Sequence, residues 1–202
     1  FVRAIRTAVG KSCDILFGSH GQMTPASAIR LAKRIEKFDP MWLEEPTPPA
    51  NITAMASIAK KINIPVATGE RLTTKYEFIA LLKEEAASII QMNLGRVGGI
   101  LEAKKIAAIA EASYAQVAPH MYCGPIIAAA NVQVAASISN FLIIEGIETW
   151  SGFDASLIID PLKWEDGYIV PSDKPGLGIE INENKLEEYP YNESKLHLEM
   201  SD

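Results

Sequence analysis

Through residue 150 the chain alternates short apolar runs with longer amphipathic stretches. The apolar runs lie at 13–17, 40–43, 64–68, 87–92, 115–118 and 141–144, and their length and β-branched content predict strands. The stretches near 25–37, 51–61, 74–84, 100–113 and 125–138 carry the helical period. The first of these shows the logic. Thr24 stands where a cap is needed, Pro25 suits a first turn, and Ala28, Ile29, Leu31, Ala32 and Ile35 form one apolar stripe.

Strands that alternate with helices imply an α/β fold with a parallel sheet. Successive strand ends are spaced by about one β/α unit, and no Gly-rich phosphate turn follows the first strand. That rhythm suits a partial TIM-type barrel better than a doubly wound sheet. A complete barrel takes about 250 residues, so two units are expected to be missing on the N-terminal side. The chain opens on Phe1-Val2-Arg3-Ala4-Ile5-Arg6, a helical pattern without an initiator Met, and is expected to be a piece of a longer polypeptide. Open parallel edges then need covering by another segment or chain. Residues 1–150 read as the partial barrel, and 151–202 as a tail packing back on it or toward a missing capping domain.

Composition removes several function classes. The 202 residues carry a net charge of −6 and are 48% hydrophobic, which argues against disorder. There is no Lys/Arg run and no apolar stretch of about 20 residues, so neither a nucleic-acid surface nor a membrane partner is expected. Cys13 and Cys123 are far apart in sequence and fit reduced thiols in a cytoplasmic protein.

The chemistry follows from what ends each strand. Glu44 closes Met41-Trp42-Leu43, and Glu70 closes Val66-Ala67-Thr68-Gly69, 26 positions later. The same step back from Glu44 reaches Gly18-Ser19-His20-Gly21. Asn93, His120 and Glu145 follow the later strands. Barrel active sites form at the C-terminal ends of the strands, so these side chains are expected on one face. Carboxylates suit a hard cation such as Mg²⁺, and imidazole suits proton transfer near neutrality. Together they fit proton abstraction next to a substrate carboxylate. Gly95, Gly98 and Gly99 read as a tight strand-to-helix turn rather than a phosphate cradle.

The segments WLEEP (42–46), ATGER (67–71), GRVGGI (95–100), APHMYCGPI (118–126) and PGLGIEI (175–181) resemble the enolase superfamily. Within it they are most similar to the mandelate racemase branch and its acid-sugar dehydratases of the galactonate type. The resemblance implies a modified (β/α)₇β barrel lacking its first strands and capping domain. It implies a Mg²⁺-dependent lyase, or a related racemase or epimerase, acting on a small-molecule acid sugar, and a homo-oligomer. By the same resemblance Glu44 and Glu70 are metal ligands, with Glu45 behind them. His20 is the general acid, His120 the general base, and Glu145 a partner of the substrate carboxylate.

Two positions depart from the family pattern. Gly18 stands where the first metal-binding aspartate is expected, and Asn93 where an aspartate partners the base. Asp14 lies roughly 13 Å upstream along an extended strand and does not substitute. A neutral Asn93 is expected to accept a hydrogen bond from His120 without supplying charge. These departures also support an alternative: a catalytically impaired barrel with a structural or binding role.

Overall fold

Residues 1–146 and 150–190 are described by a computed structural model. Five strands, β1 (Leu16–Gly18), β2 (Trp42–Glu44), β3 (Val66–Thr68), β4 (Ile89–Ile90) and β5 (Gln116–Val117), pair in parallel in sequence order. A parallel bridge from Val117 to Phe141 continues the sheet where the sixth apolar run is expected. The strands are shorter than the apolar runs that predict them, and the first shifts toward its C-terminal end. The Arg6 side chain takes the carbonyl of Cys13 at 2.6 Å, which holds the start of that run outside the ladder.

Helices α1 (Val2–Val9), α2 (Pro25–Ile35), α3 (Ile52–Ala59), α4 (Lys75–Lys83), α5 (Leu94–Val97), α6 (Ile100–Ala112) and α7 (Pro125–Ala135) fill the intervals. Their starts are set locally. Thr24 caps α2, Asn51 accepts from Ala54 N at 3.0 Å to cap α3, and Thr74 with Glu77 forms a capping box on α4. Such caps are worth about 1 kcal/mol each.

The period of two along the strands sorts side chains into two cores. Leu43, Val66, Ile90 and Val117 join the main core with helix residues such as Met55, Ile58, Phe78, Leu81 and Ile106. Trp42, Ala67, Ile89 and Ala118 form a second cluster. Glu44 follows Trp42 by two residues and so shares its face.

Beyond Trp150 the elements are of another kind. Helix α8 (Gly152–Ser156) precedes an antiparallel hairpin of β6 (Lys163–Glu165) and β7 (Tyr168–Val170), then α9 (Glu183–Glu188). The hairpin turns at Asp166-Gly167, both with positive φ (51° and 82°), as a two-residue turn requires. Ile158 bridges Ile181, and Leu177 packs on the main core. The end of the expected tail, 191–202, lies outside the described residues. Among the described residues no helix is long and apolar enough to cross a membrane.

Candidate active site at the strand ends

Glu44 is held from two sides. Trp42 Nε1 donates to its Oε2 at 3.2 Å, and Gln91 Nε2 donates to the same oxygen at 2.6 Å. Oε1 lies toward β1, where Gly18 is the register partner of Glu44. Neither Trp42 nor Gln91 is singled out by sequence reasoning as a site residue. The signal for Trp42 is its shared strand face with Glu44; that for Gln91 is a polar residue closing an apolar run.

His120 stands at the end of β5 between two carboxylates. Its Nε2 lies 3.4 Å from Glu70 Oε2 and 3.7 Å from Glu145 Oε2. Glu145 is fixed in turn, since Oε2 also accepts from Met121 N at 2.7 Å. The other ring nitrogen, Nδ1, is 2.8 Å from Asn93 Nδ2. The expectation for Asn93 is corrected here. Its oxygen does not face His120; it accepts from Gly95 N at 2.9 Å and Arg96 N at 3.2 Å, capping the short helix α5. The amide therefore donates to the ring instead of accepting from it.

His20 sits apart from this cluster. It is exposed, has φ of 51°, and its carbonyl accepts from Arg71 Nη2 at 2.7 Å. Arg71 also places Nε 3.6 Å from Glu70 Oε1, so one guanidinium ties the β1 end to the β3 end. Among the described residues no hydrogen bond or ion pair links the His20 imidazole to Glu70, His120 or Glu145. Thus the fold joins Glu70, His120 and Glu145 directly, holds Glu44 through Gln91 and Trp42, and leaves His20 at the rim.

Glu45 turns the other way and is fully buried. Thr68 Oγ1 and, at 3.2 Å, Gly69 N donate to its Oε1, while Oε2 has no partner among the described residues. Burial pushes its carboxyl above the ordinary range, against the lowering effect of the Thr68 and Gly69 bonds. Cys13 and Cys123 are both free. Burial, with a smaller contribution from Glu145, pushes the Cys123 thiol up to about 12.

The donors fit a hard cation in kind but fall short in number. Glu44 and Glu70 supply carboxylate oxygen, and Gly18 supplies nothing. Among the described residues no group of three or more His, Cys, Asp or Glu side chains is arranged for a metal. Two carboxylates suffice for Mg²⁺ only when water and substrate oxygens complete the shell.

Comparison with known proteins identifies the family of the chain. A family model described as enolase C-terminal domain-like matches residues 1–185. The D-gluconate/D-galactonate dehydratase of Picrophilus torridus is 35% identical over 191 residues, which cover 94% of this chain and 49% of that protein. A mandelate racemase/muconate lactonizing enzyme-like protein from Roseovarius sp. TM1035 superimposes with a TM-score of 0.91 at 55% identity, over 100% of this chain and 50% of that one. An enolase from Agrobacterium radiobacter, solved with bound Na and L-malate, gives a TM-score of 0.86 at 34% identity, over 95% of this chain and 52% of its own. The chain spans about half the length of the relatives it matches.

Proposed function

We propose that this chain, which belongs to the enolase C-terminal domain-like family, forms the strand-end half of a site that dehydrates a sugar acid. The reading is carried by one observation: His120 is bracketed by Glu70 at 3.4 Å and Glu145 at 3.7 Å at the mouth of the sheet. Its dehydratase relative and the malate-bound neighbour support a hydroxylated carboxylic acid as the substrate class.

In the proposed reaction His120 takes the proton from the carbon next to the carboxylate. That C–H electron pair becomes the C2–C3 double bond. The C3 hydroxyl leaves as water with a proton from His20, and the enol settles to a 2-keto-3-deoxy acid. Glu145, whose Oε2 accepts a hydrogen bond from Met121 N, would be the acid that hydrogen-bonds the substrate carboxylate. Glu44 and Glu70 would hold Mg²⁺, which when bound supplies positive charge beside the acid. Gln91 and Trp42 orient Glu44 for that role.

A second reading, binding without efficient turnover, is favoured by Gly18 and by the donor amide of Asn93 on His120. One experiment separates the two. The full-length gene product is incubated with Mg²⁺ and a panel of aldonates and aldarates, and 2-keto acid is measured. Keto acid from any member supports dehydration. Saturable binding with no keto acid and no exchange of the α-proton in D₂O overturns it in favour of binding.

A further inference from the structure

We infer that Asn93 is a positioning residue that holds His120 in the Nε2–H tautomer, so the ring presents a proton donor, not a lone pair, to the cleft. The chain of constraints starts at α5. Its first backbone amides need an acceptor, and the Asn93 oxygen serves two of them, Gly95 N and Arg96 N. That fixes which way the side-chain amide faces. Turning it over would set its NH₂ against two N–H groups and leave them unpaired. The NH₂ must therefore point at His120 Nδ1, 2.8 Å away.

A neutral imidazole has one N–H and one lone pair. With a donor at Nδ1, the lone pair lies at Nδ1 and the proton at Nε2. The opposite end of the ring agrees independently: among the described residues Nε2 faces carboxylate oxygen, Glu70 Oε2 and Glu145 Oε2. Asn93 is 8% exposed, so water does not readily replace these contacts. An aspartate at the same position could accept from Nδ1–H and from the α5 amides with different oxygens, leaving the lone pair at Nε2. The single change from carboxylate to amide thus exchanges the two ends of the imidazole.

This goes beyond the dehydratase reading and stands without it, because the tautomer belongs to the resting fold and needs no substrate. Its consequence for that reading is kinetic. His120 can accept a proton at Nε2 only in its minor tautomer, which sets Nδ1–H against the Asn93 amide hydrogens.

The test is a long-range ¹H–¹⁵N correlation spectrum of the ¹⁵N-histidine-labelled chain, which reports each ring nitrogen as pyrrole-like or pyridine-like. The three histidines of the chain are assigned by single His→Gln variants. His120 is expected to show a pyridine-like Nδ1 and a pyrrole-like Nε2. Asn93→Asp is expected to reverse that pattern, with His20 unmoved. A wild-type His120 with the proton on Nδ1, or an equal mixture, overturns the inference, and the wild-type spectrum decides this even if the variant fails to fold. A pattern unchanged in a folded Asn93→Asp protein overturns it too.

Discussion

Gly18 and Glu44 are register partners on adjacent strands, and a Cβ on Gly18 would lie 3.5 Å from Oε1 of Glu44. A carboxylate starting from that point reaches the carboxylate of Glu44. The backbone permits it, since Gly18 has no positive φ and meets nothing closer than ordinary van der Waals contact. Gly18→Asp is therefore expected to fold and to tighten Mg²⁺ binding by about tenfold or more, roughly 1.4 kcal/mol. Without the ion the added charge repels Glu44, so the variant should melt lower than wild type and recover more on adding Mg²⁺. Titration calorimetry and melting with and without the ion measure both. An unchanged Mg²⁺ affinity would show that the cation is not held at Glu44.

Asn93→Asp should raise α-proton exchange of a bound sugar acid by about 10²-fold or more, the scale of a general base restored to its working tautomer. The α5 cap survives the change because Asp also accepts from backbone amides. Deuterium incorporation by NMR or mass spectrometry reads it directly. A folded variant that exchanges no faster than wild type would place the block elsewhere, Gly18 being the next candidate.

Much of this fold was written in the period of the sequence. Thr24, Pro25 and the apolar stripe behind them mark α2, and the 26-residue step from Glu44 to Glu70 places both at strand ends. What sequence could not carry was direction. Whether Asn93 shows His120 its oxygen or its nitrogen depends on two backbone amides at 95 and 96, which become donors only because α5 begins there. Gln91 escaped notice because its partner, Glu44, is two strands away in sequence. The β6–β7 hairpin escaped because its strands are three residues each, too short to show alternation, although Asp166-Gly167 marks the turn.

Glu45 should make stability depend on pH in the direction opposite to a paired surface carboxylate. Its folded-state pKa is raised by burial, so the fold binds this proton more tightly than the unfolded chain. The resulting stabilisation is complete below the ordinary carboxylate pKa of about 4.3 and is lost as pH rises through the raised folded value. Glu45→Gln cannot ionise. Its melting temperature relative to wild type should therefore climb as pH goes from acid to neutral. A difference that stays flat with pH would contradict the assignment.

The two cysteines should separate by reactivity. Cys13 is exposed, whereas the Cys123 thiol is pushed up to about 12 by burial and then by Glu145. At about pH 8 a thiol of that kind offers almost no thiolate. Iodoacetamide is expected to label Cys13 at least tenfold faster, as read by peptide mass spectrometry, and denaturant should erase the difference. Equal rates in the folded protein would refute it.

Gly69 joins the buried Glu45 to the exposed edge of the site, and its surroundings leave no room for a methyl group. Its φ is 139°, and a Cβ would stand 2.9 Å from Phe78 Cε1 and 3.1 Å from the Gln91 backbone. Phe78 is fully buried and the Gln91 amide is bonded to Thr68 O at 2.9 Å, so neither neighbour gives way cheaply. The Gly69 amide also donates to Glu45. Gly69→Ala should thus cost about 2–4 kcal/mol, or roughly 5–15 °C in melting temperature for a chain of this size. Gly99→Ala is the matched control: its φ is 89°, but nothing lies within 4 Å of the added Cβ. That change carries only the cost of holding a side chain at φ 89° and ψ −165°, about 1–3 kcal/mol. If the two variants melt alike, the crowding of Gly69 against Phe78 and Gln91 is not what demands glycine there. If Gly69→Ala falls further and also weakens Mg²⁺ binding, the same crowding positions Glu70, one residue on.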